Sequence, residues 1–88
     1  MQRPKLYIDI TGPDGNIYFI LAKVSNILKK KRRINDFNEL RDTVYKGSYY
    51  QALYNINKII ELIDTSREQI LESYIMRGKK ECMEAEHD

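Results

Sequence analysis

The chain's 88 residues, 10.5 kDa, are enough for one small domain and too few for two. Apolar residues make up 42% and charged residues 32%, with four Gly and two Pro, which excludes collagen-like, low-complexity and wholly disordered chains. The formal net charge is only +2, and no apolar run reaches the length of about 18 residues that a membrane-spanning helix needs.

In chain order, Lys5 to Thr11 reads as a strand, because Leu6, Ile8 and Ile10 alternate with Tyr7, Asp9 and Thr11. A turn follows in Thr11-Gly12-Pro13-Asp14-Gly15-Asn16, where Pro presets φ and Gly frees it. Asn16 is then an N-cap. Ile17, Ile20, Leu21, Val24, Ile27 and Leu28 recur at helical spacing and predict an amphipathic helix to about Lys31. Asp36 followed by Glu39 resembles a capping box and predicts a short helix through Phe37, Leu40 and Val44. Gly47 is placed to end that helix and Ser48 to cap the next.

Tyr49, Leu53, Ile56, Ile60 and Ile63 form a third helical stripe. The run Ile59-Ile60-Glu61-Leu62-Ile63 is ambiguous, since it is β-prone enough to be a second strand pairing with residues 5–11. Continuation of the helix is the favoured reading. Asp64-Thr65-Ser66 resembles the cap of a last helix carrying Ile70, Leu71, Tyr74 and Ile75. From Gly78 no apolar period survives, so residues 78–88 are expected to be a flexible charged tail behind a single domain of residues 1–77. The expected fold is therefore α+β and mostly helical: one N-terminal strand, then three to four short helices. A lone strand cannot satisfy its edges. It must pair with a strand near 59–63, with a symmetry mate or with another protein, and so thin a core favours a homo-oligomer, a dimer first.

The charge is unevenly placed. Residues 1–77 carry 13 Lys/Arg against nine Asp/Glu, and residues 78–88 carry two against four. Five of the cations are consecutive: Lys29, Lys30, Lys31, Arg32 and Arg33. Cations suit a helix C-terminus, but five exceed what capping needs, and Arg41 and Lys46 extend the set toward RNA, DNA or an acidic protein face. Such a patch contacts phosphates without reading sequence. Tyr45, Tyr49, Tyr50 and Tyr54 crowd one stretch, either as packing groups or as a partner and base-stacking surface.

Gly12, Gly15 and Asn16 precede a helix in the manner of an anion-cradling loop. Against that use, no Walker-type Lys follows and Asp14 brings negative charge. Asp9 and Asp14 read as turn and surface residues, and no segment converges enough oxygens for a magnesium ion. Cys82 and His87 are the only residues of their kinds, five apart in the polar tail, so neither a disulfide, a zinc cluster nor a nucleophile–base pair is expected. No cofactor is expected and the chain reads as non-enzymatic. The opening MQRPKLYIDITG has no continuous apolar stretch, so no secretory signal is expected and a cytoplasmic setting is.

YIDITGPDGN at 7–16, followed at once by a helix, and KGSYYQAL at 46–53 resemble a group of small bacteriophage proteins. That group opens with an I-D-[IL]-T-G-P-x-G-N strand–turn and later carries a G-[DS]-Y-x-x-L step. The resemblance covers about a fifth of the chain and carries no catalytic residues with it. It implies a phage-encoded protein in a bacterial host cell, of the accessory kind that binds and blocks host machinery. The KKKRR run and the extension beyond residue 65 depart from the group's pattern. The resulting expectation is a non-enzymatic accessory protein that antagonises a host defence or regulatory protein, such as a toxin ribonuclease, with RNA contact through the basic run. The alternatives are a sponge that sequesters a nucleotide signal at the 12–16 turn and an interaction subunit without nucleic acid.

Overall fold

A computed structural model describes residues 3–85. The fold is α+β and mainly helical, in the order β1 (Lys5–Ile8), a single 3-10 turn (Pro13–Gly15), α1 (Ile17–Lys30), α2 (Ile34–Lys46), α3 (Tyr49–Ile59), β2 (Glu61–Asp64) and α4 (Leu71–Ala85). The two strands form a parallel sheet in which Lys5 lies opposite Glu61 and Ile8 opposite Asp64. Residues 61–64 are thus a strand, which corrects the favoured reading of a continuous helix. An apolar run does not distinguish the two states by itself. Pairing with β1 decides between them: Ile60 turns extended, at φ −126° and ψ 126°, and the Asn57 side chain accepts the Leu62 N–H at 3.1 Å, which brings the chain into that pairing.

β1 is shorter than the alternation implied. Asp9 turns its carboxylate back to accept from the Thr11 N–H and hydroxyl, and the chain leaves the sheet there. α1 begins as expected, with the Asn16 side chain accepting from the Tyr18 N–H at 2.8 Å. α2 starts two residues before Asp36, which is no cap: its carboxylate accepts instead from Arg33 Nε at 2.6 Å. α3 opens with a complete capping box, the Gln51 N–H donating to Ser48 Oγ and the Ser48 N–H to Gln51 Oε1.

The largest correction lies at the C-terminus. Residues 78–85, expected to be a flexible tail, continue α4, and the remainder of that segment lies outside the described residues. Gly78 is not a stop signal. It is buried in mid-helix where α4 meets the start of α3, and a Cβ there would overlap the Tyr50 carbonyl. On either side, Arg77 lies over the Tyr50 ring at 4.1 Å, and Ser48 Oγ donates to both Glu81 carboxylate oxygens at 3.0 Å. These contacts supply what the sequence pattern lacked: a reason for polar residues to stay helical. The core joins Ile8 of β1, Ile20, Val24 and Leu28 of α1, Leu53 and Ile56 of α3, Ile60 and Leu71, each at most 2% exposed. Full burial of one such side chain is worth about 1.5–3 kcal/mol. α3 and α4 make the most extensive contact between elements.

Candidate functional site

α1 ends in a Schellman motif built from the basic run. The Arg33 N–H reaches back to the Leu28 carbonyl at 2.8 Å and the Arg32 N–H to the Lys29 carbonyl at 3.0 Å. This closure requires a left-handed residue at Arg32, whose φ is 57°. Glycine is the usual occupant, and an L-residue there costs about 1–2 kcal/mol. The motif therefore holds a long cationic side chain at a position where conformation alone favours none. Lys29, Lys30, Lys31 and Arg32 are all exposed, and among the described residues none of the four has an ion-pair partner. Arg33 is different: half-buried and paired with Asp36, it joins α1 to α2.

Arg41 and Lys46 do not close up with the run. Both lie along α2, about 10 Å and 18 Å from Ile34 at the ordinary helical rise. Arg41 is exposed with its guanidinium 5.9 Å from the centre of the Phe37 ring, and Lys46 is exposed in the last turn. The local surface is a four-cation knuckle, with Arg41 as its nearest outlier.

The tyrosines split. Tyr49 and Tyr50 meet Tyr74 of α4, a ring absent from the expected set, in edge-on contacts with centroids 5.0–6.4 Å apart. The Tyr49 hydroxyl donates to the Gly15 carbonyl, and burial followed by the neighbouring Tyr74 pushes its pKa above the ordinary phenol value. This trio pins α3, α4 and the 13–15 turn together. Helical spacing on α3 exposed part of it, but Tyr74 was hidden because the contact crosses between elements. Tyr54 is half-buried under Lys58, whose ammonium is 4.5 Å from its ring centre, and Tyr45 stands exposed on α2.

At the glycine-rich turn the groups are engaged internally. Gly15 lies where a Cβ would overlap the Ile10 carbonyl, while Gly12 has open space around its Cβ position. Asn16 satisfies the Tyr18 amide, and Asp14 pairs with Lys23 at 3.6 Å. An incoming anion would have to displace Asn16 from the Tyr18 amide and face the Asp14 carboxylate. A cleft of about 460 Å³ between β2 and α4 is lined by Arg3, Asn57, Asp64, Gln69 and Glu72 among others. Its polar groups are mostly spent on the fold. Asp64 accepts from the Ser66 N–H and hydroxyl and from the Leu71 N–H, which caps α4 from a distance. Partial burial pushes Asp64 upward, but these hydrogen bonds outweigh it and hold its pKa below the usual carboxylate value.

Among the described residues, no group of three or more His, Cys, Asp or Glu gathers at metal-binding distance, and no helix is long and apolar enough to cross a membrane. Cys82 is a half-buried free thiol of α4, and His87 lies outside the described residues. Comparison with protein-family models, with curated proteins and with solved structures found no match.

Proposed function

We propose that the protein is a non-enzymatic binding protein whose working surface is the knuckle Lys29–Arg32, presented to a polyanionic partner. The observation that carries this reading is a set of four exposed cations without ion-pair partners among the described residues, one of which, Arg32, is held in the left-handed conformation. The closure needs the left-handed conformation but not an arginine, and an arginine kept there at a conformational cost is best explained by what its side chain does. RNA phosphate is the first partner to test. The phage setting is supported by the resemblance at 7–16 and 46–53 and by nothing in the geometry. In that setting the protein is an accessory factor that holds a host defence or regulatory protein in the bacterial cytoplasm, a toxin ribonuclease with its RNA being one form.

Binding of the purified chain to a single-stranded RNA should weaken with salt at a log–log slope of about −3, as four phosphate contacts require. Lys30→Glu with Arg32→Glu should weaken it about 100-fold while leaving the unfolding midpoint nearly unchanged. Binding that survives the double reversal sinks the assignment. Affinity purification from phage-infected cells, with and without ribonuclease, then shows whether a host protein is held directly or through RNA.

A further inference from the structure

The two outer edges of the sheet are not alike. In a parallel pair, alternate residues of each strand direct their backbone groups at the neighbour. The Glu61 N–H donates to the Pro4 carbonyl at 2.8 Å and the Thr65 N–H to the Ile8 carbonyl at 2.9 Å. Pro4, Leu6 and Ile8 therefore face β2, and the backbones of Lys5 and Tyr7 face away. On the outer edge of β2, side chains bond two of the four corresponding groups, and α4 stands beside that edge. Asn57 Oδ1 takes the Leu62 N–H at 3.1 Å, Gln69 Nε2 donates to the Asp64 carbonyl at 3.3 Å, and Leu71, Ile75 and Met76 of α4 wall the cleft beside it. On the outer edge of β1, no described residue bonds the N–H or the carbonyl of Lys5 or Tyr7. Their side chains are exposed as well, Tyr7 by 61%.

We propose that this open edge is a self-association site, at which β1 pairs antiparallel with β1 of a second copy. The product is a four-stranded sheet, β2-β1-β1-β2, with a two-fold axis at Leu6. The occupant is chosen by the strand's own complementarity. With Leu6 opposite Leu6 of the second copy, Lys5 lies opposite Tyr7 in each direction, and each of those pairs exchanges two backbone hydrogen bonds. Pro4 costs this edge nothing, because its missing donor belongs on the side facing β2.

Neighbouring registers are worse. Centring on Lys5 puts two ammonium groups face to face. Centring on Tyr7 moves the pairing onto Asp9, where the chain has already turned to Thr11. The pairing is isologous and consumes both edges, so it closes at two copies and does not propagate. An edge this short makes a weak dimer, which equilibrates with monomer.

Sedimentation equilibrium of the full chain over a wide concentration range should show reversible monomer–dimer exchange. Tyr7→Pro removes an N–H that the monomer leaves unbonded. It should weaken the dimer about tenfold or more through the loss of two interchain hydrogen bonds, with an unchanged helical spectrum. Single cysteines at positions 5, 6 and 7, in a Cys82→Ser background, read the register under mild oxidation. Leu6→Cys should form the covalent dimer fastest. A chain that stays monomeric, a dimer indifferent to Tyr7→Pro, or cross-linking that peaks at Lys5→Cys or Tyr7→Cys each overturns the proposal. Should Tyr7→Pro lose its helical spectrum, the cysteine scan decides alone.

Discussion

Two turns flank α1, and both carry the marks of an anion site: Gly12–Asn16 at its N-terminus and Lys29–Arg33 at its C-terminus. They differ in how their groups are employed. At the first turn, Gly15 makes room for the Ile10 carbonyl and offers its own carbonyl to Tyr49, Asn16 caps the helix, and Asp14 pairs with Lys23. At the second, only Arg33 is held by a neighbour, and Arg32 adopts the φ of a glycine. A motif whose groups are consumed by the fold has little left for a ligand. One whose groups are idle, or held at a cost, is where function is to be sought.

The largest effect that can break this contrast is at the glycine of the first turn. Gly15→Ala should lower stability in chemical denaturation by about 3 kcal/mol, as overpacking against backbone does, and Gly78→Ala should act similarly against Tyr50. A loss near zero at Gly15 would free that turn for a role other than structure. Next, Ser48→Ala removes both the cap of α3 and the donor to Glu81, and should cost about 2 kcal/mol in the same measurement. Arg32→Gly should act in the opposite sense. It relieves the left-handed strain and should raise stability by about 1 kcal/mol, while weakening binding to RNA. No gain in stability there would mean that the arginine side chain supports the fold after all.

The smallest effect concerns pH. Because Asp64 is depressed in the folded state, its contribution is present above the unfolded carboxylate pKa, about 3.9, and is lost as pH falls through the lower folded value. Asp64→Asn should flatten that part of the acid-unfolding curve. Charge reversal at the knuckle should leave it untouched.

Much of this architecture is legible in the sequence. The period of Ile17 to Leu28 marked α1, and Asn16 and Ser48 announced the helix starts that they cap. These signals are local, and local physics is written in neighbouring residues. Two misreadings were local, the early end of β1 at Asp9 and the false cap at Asp36, and the larger ones were long-range. Ile59–Ile63 has no period that separates strand from helix, and its state is decided by β1, more than 50 residues away. Gly78 looked like a helix end because a glycine's usual meaning is conformational, whereas here it marks two helices in close approach. The candidate site was legible as charge. That the basic run folds as a Schellman closure, with Arg33 diverted to Asp36 and Lys46 stranded at the far end of α2, was not.

The parallel pairing of β1 with β2 also sets an order of events. β1 is matched to residues made more than 50 positions later, and a parallel partner cannot be supplied by a tight hairpin. Until Glu61–Asp64 emerge, Leu6 and Ile8 have no sheet neighbour, and α3 has no α4 to close over it. Nascent chains ending before Glu61 therefore expose an apolar strand with two open edges, the form most prone to aggregation. Closure of this sheet therefore waits on residues more than 50 positions downstream of β1.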